Sequence, residues 1–253
     1  MIAFQAIYLG STPSRRIAFS FKSLLNVVAF FTTMAKKETV LVIVAHNDDH
    51  IIAAGGTLAK YAQEGKKVRT IIFSYGEASH LHLKPEVIIE KRYKESIESD
   101  KILGGNGVVY LGLSEGKFLE QYRKKKMHKK LAYLIKHEKP SKILTLGPGD
   151  VHPDHNAVWK IIDELIKDHT ITCDVYAFEV WSVVKMHKRD APKLVVDVSD
   201  VYPVKVKALR AHKSQFQHIS QFMTVLRFKV WLHALIDGWA NNCTYAEVFY
   251  KLN

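Results

Sequence analysis

The sequence predicts an α/β fold: a mostly parallel sheet with helices on both faces, in one domain with a helical C-terminal tail. Two observations predict this class. From Glu38 onward, apolar runs rich in Val and Ile alternate with segments of helical periodicity, as in βαβ units. The 253 residues, 47% of them apolar, are also enough to bury one substantial core.

The elements justify this class in chain order. The pattern predicts strands at residues 39–45, 68–73, 108–111, 142–146, 175–181 and 193–198. It predicts helices at 51–64, 85–103, 117–137, from His155 to 168, and at 203–217. The tail, 222–253, carries Trp231, Trp239 and other aromatic residues with little punctuation, and we expect it to pack on the domain as helix.

The first 33 residues differ in character from the rest of the chain. They carry Arg15-Arg16 and an apolar stretch, 24–31, that is too short to cross a membrane. A secretory or twin-arginine signal has this order of segments, but no Ala-x-Ala cleavage site comes after it, and 34–37 is typical of an ordinary prokaryotic start. We interpret 1–33 as an over-extended start, with a membrane-proximal or folded extension as alternatives. We expect 34–253 to be a cytoplasmic domain.

Composition limits the classes of function. The formal net charge is +12, which suits a partner such as nucleic acid or anionic lipid. The densest basic run, 123–130, precedes Leu131, Leu134 and Ile135 at helical spacing, which indicates a solvated helix face. Only two cysteines occur, without a Cys-x-x-Cys pair, so a disulfide scaffold or thiolate zinc site is not indicated. Any metal would need His and carboxylate ligands.

Two polar clusters come directly after predicted strands. The first is His46-Asn47-Asp48-Asp49-His50, and the second is Asp150-Val151-His152-Pro153-Asp154-His155. In open α/β sheets, ligands bind beyond the carboxyl ends of the strands, where both clusters lie. Helix capping by Asn or Asp and a proline at a helix start explain some of these residues, but not the histidines.

A metal-dependent hydrolase is the leading hypothesis for these clusters. A catalytic zinc site commonly has three His or carboxylate ligands and an open position for water. His46, Asp49 and His155 could be those ligands. Asp48 could then accept a proton as general base, and His152 could stabilise the oxyanion or protonate the leaving group.

These residues resemble the two signature motifs of the LmbE/PIG-L family of zinc-dependent N-acetylglucosaminyl deacetylases. Further matches, over residues 38–215, include Gly55-Gly56, Gly76-Glu77, Arg92-x-x-Glu95, Leu111-Gly112, Tyr176-x-Phe178-Glu179-x-Trp181, Val196-Asp197-Val198-Ser199 and Ala208-Leu209-x-x-His212-x-Ser214-Gln215. The resemblance implies a Rossmann-like fold with zinc on His46, Asp49 and His155, Asp48 as the base, and His152 supporting the tetrahedral intermediate.

The sequence also assigns expected roles to residues around the two clusters. The resemblance implies that Arg92 lies near the substrate, although the spacing Arg-x-x-Glu also suits an ion pair. We expect His50, Asp150 and Asp154 to surround the metal ligands. His80 and His82 are interpreted as exposed loop residues, and His212 as structural.

The chain departs from the family twice, with Asn47 in place of the usual Pro and His50 in place of the usual Glu. Asn47 can form the same turn by side-chain capping. His50 removes a carboxylate that could orient a ligand or hold a proton, so metal affinity or pH optimum could shift.

The expected function is removal of the N-acetyl group from a small N-acetylglucosamine-containing substrate, with release of acetate and a free amine. Iron, cobalt, nickel or manganese would suit the same ligands. Alternatives are a zinc-dependent hydrolase of another amide or ester, and a basic protein that binds nucleic acid or anionic membrane through a non-catalytic site. We expect no nucleic-acid partner and no stable membrane span, and a homo-oligomer is possible.

Overall fold

The computed structural model describes residues 37–79, 84–181, 192–217 and 220–253. The predicted N-terminal extension, 1–33, lies outside the described residues, as do His80 and His82. Within the described residues, no helix is long and apolar enough to cross a membrane.

Seven strands form one sheet in the order β3-β2-β1-β4-β5-β7-β6. Their bounds are β1 Thr39–Val44, β2 Lys67–Ile72, β3 Val108–Tyr110, β4 Lys142–Leu146, β5 Asp174–Phe178, β6 Lys193–Asp197 and β7 Ala246–Lys251. The first five strands pair in parallel, while β7 is antiparallel to both β5 and β6. The prediction of a mostly parallel α/β sheet is therefore confirmed.

Eight helices connect and cover these strands in the described part of the chain. They are α1 Asp49–Gln63, α2 Pro85–Leu103, α3 Phe118–Lys124, α4 Met127–Glu138, α5 Pro153–Lys167, α6 Tyr202–Ala211, α7 Lys213–Gln217 and α8 Ser220–Ala240, with a short 3₁₀ turn at Glu77–Ser79. All six residues of β1 are buried, because helices cover both faces of the central strands. Such burial explains the unbroken apolar runs in the sequence.

Three sequence expectations need correction. The tail is helical only as far as Ala240, since β7 then inserts between β5 and β6, so the prediction of helix throughout 222–253 was wrong for the last strand. The predicted basic helix is two helices, because Lys126 adopts a positive φ of 50° between α3 and α4. The predicted helix at 203–217 breaks at His212 into α6 and α7.

Gly55 and Gly56 lie in α1, where two other elements come close. A Cβ on Gly56 would lie 2.7 Å from Cβ of Val198, and one on Gly55 would lie 3.0 Å from Cγ of Lys205. Nearby, the buried carboxylate of Glu247 accepts hydrogen bonds from the Gly56 and Thr57 amides and pairs with Lys205 at 2.5 Å. The two glycines therefore allow α6 and the end of β6 to pack against the helix that begins at the polar cluster.

Candidate active site

The two polar clusters lie side by side at one edge of the sheet. The first comes after β1 and opens α1, and the second comes after β4 and opens α5. β1 and β4 are hydrogen-bonded neighbours, with Val42 opposite Leu144 in the register. The carboxyl ends of these parallel strands therefore bring together residues that are about a hundred positions apart in the sequence.

His46, Asp49 and His155 form a compact buried cluster. Their ligand atoms all lie within 4.8 Å of one another. Nε2 of His155 is 3.2 Å from Oδ1 of Asp49 and 3.3 Å from Nδ1 of His46, and the latter atom is 3.5 Å from Oδ2 of Asp49. Two imidazoles and one carboxylate so arranged are a donor set that suits a divalent transition metal.

A carboxylate orients the outer ring nitrogen of each histidine. Oδ2 of Asp154 lies 3.3 Å from Nε2 of His46, and Oδ2 of Asp150 lies 3.0 Å from Nδ1 of His155. Asp150 is itself held by the amides of Val180 and His152. The hydrogen bond to Asp154 favours the tautomer of His46 that leaves its inner nitrogen as an electron-pair donor, and Asp150 forms an ion pair with the outer nitrogen of His155.

The electrostatics of the two histidines result from these carboxylates. Burial opposes a charge on the ring of His46, but Asp154 and Asp49 outweigh it and raise its pKa to about 10. Burial opposes a charge on His155 likewise, and Asp49 and Asp150 raise its pKa to about 9. A bound cation would displace the protons that the two rings carry next to these carboxylates.

Asp48 lies beside the cluster, lines the same cleft and is not one of the three potential ligands. Its Oδ1 accepts a hydrogen bond of 3.4 Å from Nη2 of Arg92, a buried residue of α2. Nη1 of Arg92 donates to the carbonyl of Gly76, also at 3.4 Å. Gly76 has a φ of 78°, and a Cβ there would lie 2.0 Å from Nη1 of Arg92. The turn after β2 thus needs glycine so that Arg92 can reach Asp48.

His152 is the N-cap of α5, and its Nδ1 accepts a hydrogen bond from the amide of Asp154. That bond leaves the proton of a neutral ring on Nε2. Burial, together with the charges of His155 and His46, lowers the pKa of His152, which favours the neutral ring. His152 can therefore donate one hydrogen bond into the site.

Six of the side chains described above line an open cleft of about 580 Å³, a size that suits a small molecule: His46, Asp48, Asp49, Arg92, His152 and Asp154. Glu115, which lines the cleft, was missing from the sequence predictions of the site, and Gln215 was noted only as part of a family match. Glu115 lies 3.6 Å from Nε2 of His46 and accepts from the amide of Ala78, and Gln215 lines another wall. The position of Glu115 in the loop after β3 was the signal that could have identified it, because that loop lies at the same edge of the sheet.

Asn47 and His50, the two residues that differ from the usual family motif, are buried behind the cleft. Asn47 does not cap α1; its amide donates to Tyr110 Oη, Ser96 Oγ and the carbonyl of Arg92. The capping role expected for Asn47 was therefore wrong. The rings of His50 and His212 are also buried, and His212 contacts Ser99 Oγ at 3.0 Å.

The pKa of His50 is lowered to about 4 and that of His212 to about 3, in both cases mainly by burial. Both rings are therefore neutral at pH 7. Neither ring nitrogen of His50 has a hydrogen-bond partner among the described residues. The expectation that His50 is one of the residues surrounding the metal ligands stays a prediction.

Comparison with known protein families identifies the family that this sequence resembles. The PIG-L profile, described as GlcNAc-PI de-N-acetylase, matches residues 41–166, which contain both polar clusters. Over these residues the chain is similar to the PIG-L family. Its first cluster lies at the start of the matched region and its second near the end.

Individual relatives are distant. The chain is 27% identical over 184 residues to the diacetylchitobiose deacetylase of Thermococcus kodakarensis, a match that covers 67% of each chain. It is 29% identical over 182 residues to the probable N-acetyl-alpha-D-glucosaminyl L-malate deacetylase 2 of Bacillus cereus, a match that covers 66% of this chain and 79% of the relative.

The fold has a close counterpart among solved structures. The N,N'-diacetylchitobiose deacetylase of Pyrococcus horikoshii, solved with its inhibitor MPG, superposes with a TM-score of 0.69 at 20% identity. The superposition covers 92% of this chain and 93% of that one. The Rossmann-like fold that the family resemblance implied is thereby confirmed.

Proposed function

We propose that this protein is a metal-dependent hydrolase that removes the N-acetyl group from an N-acetylglucosamine-containing substrate. The cluster of His46, Asp49 and His155, with Asp48 beside it, carries the proposal. Both relatives from Thermococcus and Bacillus are named as deacetylases of compounds that contain N-acetylated amino sugars. Acetate and a free amine would be the products.

The donor set suits a divalent transition metal, which we propose to be zinc. His46, Asp49 and His155 would hold the ion, and Asp154 and Asp150 would orient the two rings. When bound there, such an ion supplies a Lewis acid for the amide carbonyl and lowers the pKa of a water molecule to roughly 7. Iron, cobalt, nickel and manganese suit the same ligand types, and the choice of zinc rests on the family resemblance.

The chain's own residues account for the proton transfers. Asp48 would act as general base toward water, because its carboxylate lines the cleft without being one of the three ligands. Arg92 holds that carboxylate in place. After the base has taken a proton, Asp48 can deliver it to the leaving nitrogen as the C–N bond breaks.

His152 would act on the amide oxygen. Its Nδ1 is occupied by the amide of Asp154, so the Nε2 proton is directed elsewhere and can be donated to the developing oxyanion. Glu115, at the wall of the cleft, is suited to accept hydrogen bonds from sugar hydroxyl groups. Because Arg92 already contacts Asp48 and Gly76, we assign it chiefly to positioning Asp48 and secondarily to the substrate.

The test is release of acetate from N-acetylglucosamine, its short oligomers and an inositol-linked N-acetylglucosamine. We expect release by metal-loaded protein and none by chelator-treated protein. Asp48→Asn should lower kcat/KM by roughly 10²–10⁴-fold with the metal content unchanged, since only the base is lost. Asp49→Asn should lower metal content as well, which separates the two carboxylates.

The outcomes discriminate between the alternatives. Metal retention without acetate release from the panel would exclude these sugars and favour another amide or ester hydrolase. Equal loss of metal and rate in Asp48→Asn would exclude Asp48 as the base. A protein that retains no metal would favour the basic binding protein, whose affinity for a polyanion should fall steeply with salt.

A further inference from the structure

Helix α8 carries an apolar stripe, which we define as Val225, Phe228, Leu232, Ile236 and Trp239; Leu232 is half-buried and the other four are exposed. Trp239 is 84% exposed, and Val225, Phe228 and Ile236 are each more than half exposed. At 100° per residue these five side chains fall within an arc of about 80°, and the stripe runs about 21 Å along the helix. Large apolar side chains concentrated in this way mark an interaction surface.

The opposite face of α8 already packs against the domain. Leu226 and Ala234 are buried, and a Cβ on Gly238 would lie 2.5 Å from the carbonyl oxygen of Thr244. The helix therefore has two apolar faces of different kinds. One is part of the core, and the other is in contact with solvent in the part of the chain that the structure describes.

The surroundings of the stripe are basic. Residues 202–236, which include α6, α7 and most of α8, contain six Lys or Arg and no Asp or Glu; of the six, Lys205 is buried in its ion pair with Glu247 and does not contribute to the surface. Lys207, Arg210 and Lys213 are exposed on α6 and α7. An apolar groove between α6 and α8, lined by Val206, Leu209, Phe228 and Trp231, joins the basic helices to the stripe.

The same surface adjoins the catalytic cleft. Nζ of Lys229 on α8 donates to the carbonyl of Val180 at 3.0 Å, and the next residue, Trp181, lines the cleft. Gln215 on α7 lines another part of it. The helix that carries the stripe is therefore attached to a segment that lines the cleft.

We propose that α8 docks this protein onto an anionic membrane surface, with the apolar stripe in the interface and the basic residues of α6 and α7 against lipid phosphates. Aromatic residues combined with Lys and Arg are typical of helices that lie in the plane of a membrane. A second copy of this chain fits less well, because pairing would bring two copies of the basic segment 202–236 together. The inference goes beyond the proposed hydrolase activity and does not depend on it.

Vesicle sedimentation tests the proposal with the full chain. We expect partitioning onto vesicles that contain about 30% phosphatidylglycerol, little onto pure phosphatidylcholine, and release as salt rises. The double variant Phe228→Gln/Trp239→Gln should lower the partition coefficient by at least about tenfold. Tyr133→Gln removes an aromatic side chain that is 66% exposed on another helix and should leave partitioning unchanged.

Charge reversal gives a second matched comparison. Lys207→Glu/Arg210→Glu should weaken partitioning more than Lys124→Glu/Lys125→Glu, which changes the net charge equally at α3. Circular dichroism and the Tm of each variant verify folding. Three results would overturn the proposal: wild-type protein left in the supernatant, equal effects of both charge pairs, or an oligomer in sedimentation velocity that Trp239→Gln dissociates.

Discussion

Gly76 is the residue on which the position of Arg92 depends, since the guanidinium occupies the space that a side chain would need. We predict that Gly76→Ala lowers kcat/KM by roughly tenfold or more with the metal content unchanged, because Asp48 loses its partner. The measurement is acetate release together with metal analysis of the same samples.

Gly65→Ala is the matched control for that change. Gly65 has a φ of 80°, almost the same as Gly76, but a Cβ there would meet nothing within 4 Å. Both variants should lose about 1 kcal/mol of stability from backbone strain. Unchanged activity in Gly65→Ala and in Gly76→Ala alike would exclude the positioning role of Arg92.

Asp150 and Asp154 test whether the carboxylates around the metal ligands tune the metal centre. Removing the charge from either should weaken the hold on one ligand ring, and we predict a roughly 10- to 100-fold loss of metal affinity for Asp150→Asn and for Asp154→Asn. Competition with a chelator measures it. Asp163 pairs with Lys167 at the surface of α5, so Asp163→Asn should bind metal as the wild type does.

The part of the candidate site that could be predicted from the sequence consists of the polar residues that come directly after buried strands. His46 and His155 were predicted to meet because parallel strands end at one edge, and the register of β1 with β4 brings them together. The direction of side chains behind the cleft was not predictable in the same way. Asn47 could cap a helix or face Tyr110, and only tertiary packing decides between them.

At the scale of elements, α1 shows a packing constraint that overrides helix propensity. Ala normally stabilises a helix relative to Gly by about 1 kcal/mol. We predict that Gly56→Ala instead lowers the free energy of unfolding by about 1–3 kcal/mol, because its Cβ would lie within 3.1 Å of three carbon atoms of Val198. Urea unfolding of the two proteins measures the difference.

A compensating variant checks the cause. Val198→Ala removes two of those three carbon atoms, so the double variant Gly56→Ala/Val198→Ala should be more stable than the sum of the single changes implies. Strictly additive losses would show that the contact with Val198 is not responsible.

Strands β1 to β5 could be predicted from local sequence patterns, whereas β7 could not, because its position depends on a contact with a residue distant in the sequence. The core strands are buried on both faces and read as continuous apolar runs, as in Val40–Val44. Ala246–Lys251 contains Glu247, whose carboxylate is neutralised by Lys205 from a distant helix. Lys205 and Glu247 are distant in the sequence although they touch in the fold, so their buried ion pair leaves no local sequence pattern that would predict the strand.

For the whole molecule, the charge state of the metal ligands couples stability to pH. In the metal-free folded protein the pKa is raised to about 10 for His46 and to about 9 for His155, against 6.5 for an ordinary histidine. The stability that these protonated rings contribute is therefore fully present below pH 6.5. It is lost as the pH rises through 9 to 10.

A bound cation reverses that dependence, because it needs both rings neutral and competes with up to two protons at neutral pH. We predict that the difference in Tm between metal-loaded and chelator-treated protein grows as the pH is raised from 6.5 to 9. Differential scanning calorimetry of both forms measures it, and His128→Gln, on a half-exposed ring, should match the wild-type curve. A difference in Tm that stays constant across this range would show that the metal does not displace protons from His46 and His155.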